Sequence, residues 1–353
     1  MSAAARDPIG NERSFMPANP VSNPSLHEYL SEPLRLGDPD VHGPLAVFPV
    51  FGPDPKLEYV SFAQGGTAGV SIKELEHGAS VNDLFVLNPT DNAVLLYEGE
   101  EVLGAQQNRT FDVSVLVGAR SELHVPVSCV EAGRWDGSRH DESFSPAPQA
   151  AYPALRRMKN RAASESVSAG RAPRAVQGAV WDEVAHKAAR MHVASATGAM
   201  NDIYEGRRDR LAEFQGAVRL LDGQTGALVL IDGRPKVLDH VSRAEVFAAL
   251  HAPLVQGYAL DALEAGDGAI DATADQAAAD DFLERILAAR TTEHDGIGLG
   301  RDVRFAAAGV AGAGLVAGDE LVQLSAFPNG GSDTDTVEAP RARIRRPSRR
   351  RAG

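Results

Sequence analysis

Residues 94–135, VLLYEGEEVLGAQQNRTFDVSVLVGARSELHVPVSCVEAGRW, restrict the fold more than any other stretch. Their apolar runs are short and alternate with polar residues, and Gly or other turn-forming residues interrupt them. Side chains alternate across a strand with a period of two. That period places Val94, Leu96, Glu98, Glu100 and Val102 on one face of a strand, with Leu95, Tyr97, Gly99 and Glu101 on the other. A bend near Gly104 leads to a second strand over 109–117, in which Phe111, Val113 and Val115 alternate with Asp112 and Ser114. After the turn Gly118–Ser121, a third strand over 124–131 aligns Val125, Val127, Cys129 and Glu131. Many short strands at this spacing predict a sandwich or barrel.

The flanking sequence extends this to an α+β fold. A β-rich, sandwich- or barrel-like core spans 44–136, and a helical and β half spans 145–328. Short strands fit 44–51, 70–75 and 81–86, and a brief helix fits 57–64. Helical spacing marks 150–163, 181–193 and 200–214, and a Ser-Arg-Ala-Glu capping box at Ser242 opens a helix to about 250. Strands with turns at Asp222-Gly and Asp232-Gly fill 217–241, an acidic loop leads into a helix over 280–289, and strands close the domain over 301–327. Residues 161–174, rich in Ser, Gly and Pro, read as an internal linker. Residues 1–43 read as a disordered arm and 329–353 as a disordered basic tail.

Charge narrows the range of partners. The 353-residue chain carries a net charge of −13, and its last fourteen residues hold seven arginines and no acid, leaving about −20 on the remainder. Such a surface opposes broad nucleic-acid or anionic-membrane binding, the arginine tail being the one exception. No run approaches eighteen apolar residues and no signal peptide is evident, which predicts a cytoplasmic protein without a membrane span. The single cysteine, Cys129, excludes an intramolecular disulfide. No metal site is predicted, since His124 and His140 lack metal-ligand spacing, and the sequence names no cofactor. Gly296-Ile-Gly-Leu-Gly300 has the wrong spacing for a dinucleotide fingerprint.

The same forty residues hold the candidate chemistry. Glu100 and Glu131 are the candidate acid and base, and paired acids can equally serve as partners for arginines. Arg109 and Arg134 are planar donors suited to a carboxylate or pyrophosphate. Gln107 and Asn108 can hydrogen-bond a ligand or satisfy the bend, and Trp135 can stack a ring or close the end of a sandwich. Cys129 is placed at the ligand site. Its alternatives are a nucleophile and a small buried apolar residue, and Glu131 beside it opposes an activated thiolate.

Gly99–Arg109 and Pro126–Trp135 resemble the ARPP domain, named for its association with ADP-ribosylglycohydrolase and rhodanese-phosphatase genes. Thr197–Met200, Gly226–Gly233 and Phe327 extend the likeness to about 45–328. Gln106 stands where the family often has Lys. The resemblance implies a setting in NAD and ADP-ribose metabolism, a nucleotide-like small-molecule ligand, and ADP-ribosylglycohydrolase-related partners. Three functions follow as expectations: a binding domain for an NAD-derived or ADP-ribose-like ligand, an enzyme acting on one, and a non-catalytic interaction scaffold.

Overall fold

The computed structural model describes residues 23–330 apart from 77, 79 and 267–274, so the expectations for 1–22 and for the basic tail beyond 330 lie outside the described residues. Among the described residues the largest sheet has nine antiparallel strands. Its path runs Arg35–Leu36, Leu45–Phe51, Gly226–Ile231, Arg234–Val241, Glu320–Asn329, Gly309–Ala317, Arg301–Ala307 and Thr292–Asp295, with Asp40–His42 also paired to Leu45–Phe51. Both faces are covered. Leu45, Val47, Ala227, Val229 and Ile231 face a core shared with the long helix Ala244–Ala265, whereas Ala46, Phe48, Val50, Leu228 and Leu230 face one shared with helix Gln276–Ala288. Burial on two faces is why these strands read as continuous apolar runs.

Two smaller sheets enclose the third core. One orders strands Ser145–Ala150, Glu100–Leu103, Arg109–Phe111, Ser121–Cys129, Asp83–Asn88 and Ser71–Lys73. The other pairs Val115–Val117, Ala93–Leu96 and Tyr59–Ser61. Val94, Leu96, Val115 and Val117 meet Ile72, Leu84, Val86, Phe111, Val125 and Val127 in a sandwich. The opposite face of the three-stranded sheet, Leu95 and Leu116, joins the main core. The α+β class therefore stands.

Several elements depart from the sequence reading. Residues 23–43 are not a free arm: Leu26–Tyr29 form a 3-10 turn, Leu26 and Leu34 are buried, and two strands join the large sheet. The strand at 45–51, assigned to a 44–136 core, belongs instead to that large sheet. The single strand expected over 94–102 is two, in different sheets, separated by a turn at Gly99 with φ +85. Glu98 and Glu100 therefore do not share a face. The strand at 109–117 breaks in the same way, passing from one wall of the sandwich to the other. The proposed linker at 161–174 is helical to Ser168, as part of Pro153–Ser168, because Leu155 and Ala163 bury one side of it. The helix at 200–214 divides into Met200–Glu205 and Arg208–Ala217.

The helix opened near Ser242 runs through Pro253 to Ala265, because burial of residues such as Leu254, Tyr258 and Leu260 outweighs the proline penalty. By length and composition this helix could cross a bilayer, contrary to the expectation that no stretch could. In this fold it is a core helix, with 61% of its apolar window buried.

Gly99 marks a backbone requirement inside the motif. A Cβ there would lie 2.7 Å from Arg156 Cδ, on a backbone that disfavours side chains. Gly99→Ala is expected to cost at least about 2 kcal/mol in urea unfolding. A loss below about 0.5 kcal/mol would show that the turn relaxes freely.

Candidate functional site

The motif residues converge, chiefly on one another. Register places Arg109 opposite Cys129 and Val102. The Asn108 side-chain oxygen accepts from Arg134 Nη2 at 2.9 Å, and Asn108 N–H donates to Glu131 Oε2 at 3.2 Å. Arg134 Nη2 lies 2.6 Å from Glu131 Oε2, and Arg134 Nη1 donates to the Ala105 carbonyl at 2.7 Å. Thr197 Oγ1 donates to Glu131 Oε1 at 2.9 Å. Gln107 donates to the Glu131 carbonyl and accepts from Arg109 Nη1. Burial raises the Glu131 carboxyl, but the Arg134, Asn108 and Thr197 donors outweigh it and hold the group below the usual range. Glu131 is thus an ionised tie, with both oxygens engaged.

Arg109 is wholly buried. Its Nη2 approaches Glu74 Oε1 at 3.6 Å, and neither Nε nor Nη2 has a hydrogen-bond partner among the described residues. Trp135, 51% exposed, lies over it with its ring centroid 5.9 Å from the guanidinium carbon. Cys129 is buried, and desolvation pushes its thiol up despite Arg109. Gln177 binds both its N–H and its carbonyl, extending the ladder with a side chain. Among the described residues no group of three His, Cys, Asp or Glu can hold a metal ion.

Glu100 stands apart from this closed set. Together with Glu101, Gln149, Ala63, Pro146, Ala147, Pro148, Ala249 and Pro253 it lines a cleft of about 290 Å³. The cleft lies where strand Ser145–Ala150, which pairs with Glu100–Leu103 through a bulge, meets the long helix. Gly257 makes that approach possible, since a Cβ there would sit 3.1 Å from the Ala150 and Ala151 carbonyls. Burial pushes the Glu100 carboxyl up to about 7, opposed by the Tyr97 N–H that donates to Oε2 at 2.7 Å. Burial likewise pushes Glu101 up to about 8; Gln149 opposes this, and Glu131 and Asp202 reinforce it. Glu101 Oε2 accepts from Gln149 Nε2 at 2.7 Å, and Oε1 has no partner among the described residues.

Sequence reasoning selected neither Glu101 nor the distant Gln149, Ala249 and Pro253. The proline inside an otherwise helical pattern was the available signal. Glu98, considered beside Glu100, instead pairs with Arg156.

Fold and site define an α+β domain in which an ion-paired β motif adjoins a carboxyl-lined cleft. The chain belongs to the ARPP-1 family, the ARG and Rhodanese-Phosphatase-superfamily-associated Protein domain, whose model matches residues 33–327. The match begins before residue 45, in keeping with the strands at 35–36 and 40–42 that complete the large sheet. No curated protein and no solved structure matches the chain.

The cleft carboxyls make stability depend on pH. Their folded values exceed the ordinary 4.5, so the folded state holds protons that the unfolded state has released, and stability falls as pH rises from about 4.5 through 8. Glu101→Gln removes one such group. Its melting temperature should match wild type near pH 5 and exceed it by several degrees near pH 9; an equal difference at both values would mean Glu101 does not titrate in this window.

Proposed function

We propose that this domain binds an NAD-derived or ADP-ribose-like small molecule in the cleft of Glu100 and Glu101. The observation that carries this reading is a cleft whose lining includes two buried acidic residues side by side, Glu100 and Glu101. A cleft with a few convergent polar groups on an apolar lining is the usual form of a small-molecule site. The family name supplies the setting, an association with ADP-ribosylglycohydrolase-related proteins. Arg134 does not line the cleft and is engaged by Glu131 and the Ala105 carbonyl.

A second reading has an observation of its own. A carboxyl raised to about 7 is matched to proton transfer near neutral pH, which favours Glu100 as the acid or base of an enzyme acting on the same ligand. Glu131 fits that role less well, because Arg134 keeps it ionised. The scaffold reading draws on the closed Asn108–Glu131–Arg134 set, and it leaves the cleft without a role.

Thermal-shift titration with ADP-ribose, NAD and nicotinamide mononucleotide tests binding. A ligand at 100 times its Kd adds about 2.7 kcal/mol of stability. Wild type should shift with at least one of the three, and a folded Glu101→Ala should lose the shift. No shift with any of them would leave the scaffold reading. Under the enzyme reading, Glu100→Gln keeps the shift and abolishes turnover.

A further inference from the structure

The charge lining the cleft has one sign. Three alanines and the prolines Pro146, Pro148 and Pro253 give it small, flat, apolar walls, and its polar side chains are Glu100, Glu101 and Gln149. No Lys, Arg or His is among the lining residues. Gln149 is already committed, with Nε2 donating to Glu101 Oε2 and Asn201 Oδ1.

The two acids play different parts. Glu101 is 1% exposed and its Oε1 is sealed from solvent, so it acts on a ligand through its charge and not by contact. Glu100 is 7% exposed. Its Oε2 accepts the Tyr97 N–H, whereas Oε1 has no hydrogen bond among the described residues and is not sealed. That oxygen is the contact the cleft offers. Burial favours the protonated form of both carboxyls, because no element lining the cleft supplies a cation to offset a buried negative charge. A ligand that brings a positive charge removes that cost, and one that brings phosphate adds to it.

At about 290 Å³ the cleft is at the small end of ligand sites, which run on the order of 300–1,000 Å³, and this suits one end of a dinucleotide. NAD and nicotinamide mononucleotide carry a flat cationic ring with an amide that can donate to Glu100 Oε1; ADP-ribose carries neither. We infer that the cleft takes the cationic end of an NAD-derived ligand, the pyridinium ring and its ribose, against Glu100 and Glu101, and leaves the phosphates outside. This rests on the ligand reading above and specifies which member of that class, and which part of it, the site grips.

Calorimetric titration of the full chain with NAD+, NADH, nicotinamide riboside and ADP-ribose tests it. NADH keeps the amide, sugars and phosphates of NAD+, but its ring is neutral. NAD+ should bind about tenfold more tightly than NADH and at least about tenfold more tightly than ADP-ribose, and nicotinamide riboside should displace it. Glu100→Gln keeps the shape of the side chain without its charge. It should still bind, with the preference for NAD+ over NADH reduced to about threefold or less. The wild-type comparisons need no variant, so a misfolded Glu100→Gln leaves the test intact. NADH or ADP-ribose binding as tightly as NAD+ or more so, failure of nicotinamide riboside to displace NAD+, or an undiminished preference in a folded Glu100→Gln would each overturn the cationic-ring assignment and leave the ligand reading standing. No binding of any of the four would overturn both.

Discussion

One buried guanidinium joins the parts of this molecule. Arg156, on helix Pro153–Ser168, is wholly inaccessible. It bonds Glu98 through Nε at 3.0 Å, and Asp239 through Nη1 at 2.8 Å and Nη2 at 2.6 Å. Glu98 lies in the turn between the two walls of the small sandwich, and Asp239 lies in the nine-stranded sheet. Tyr97 and Tyr258 donate to the two Asp239 oxygens, so the long helix enters the same network. Desolvation opposes the Asp239 charge, and Arg156 overcomes it, holding the carboxyl below its usual range. A buried ion pair gives little net stability over an apolar substitute, but its geometry is demanding, and removing one member strands the others. Here that geometry fixes the turn whose next residue but one, Glu100, opens the cleft.

Much of this architecture was legible in the sequence. Alternation at 124–129 and the hairpin glycine at Asp232-Gly233 mark a real strand and a real turn, although the fold buries both faces of that strand from Val125 to Cys129. The breaks inside 94–102 and 109–117 left no trace: the alternation continues in phase while the chain crosses from sheet to sheet. Gly99 was the single local clue. Arg156 and Lys159 were invisible for a different reason. On a helix, charged residues beside Leu155 and Ala163 ordinarily mark a solvated edge, and only the tertiary fold supplies Glu98, Asp239 and Asp112 as partners.

The candidate site divides along the same line. Local sequence gathers Gln107, Asn108, Glu131 and Arg134, and the fold confirms that they meet, as a mutually satisfied set. The cleft needs residues from 63, 100–101, 146–149, 249 and 253. No spacing rule links such distant positions, so it emerges only once the long helix lies against the bulged strand. The ion-paired motif is thus a support for the neighbouring strand that carries Glu100 and Glu101, rather than a surface presented to solvent.

The central claim is that the Arg156 network holds the sandwich, large sheet and long helix in one arrangement. Equilibrium urea unfolding of Arg156→Met measures it most directly. The account predicts a loss of about 3–5 kcal/mol, because Glu98 and Asp239 are left buried without their counter-charge. A variant as stable as wild type, with the same cooperativity, would contradict it and show that apolar packing alone sets the arrangement.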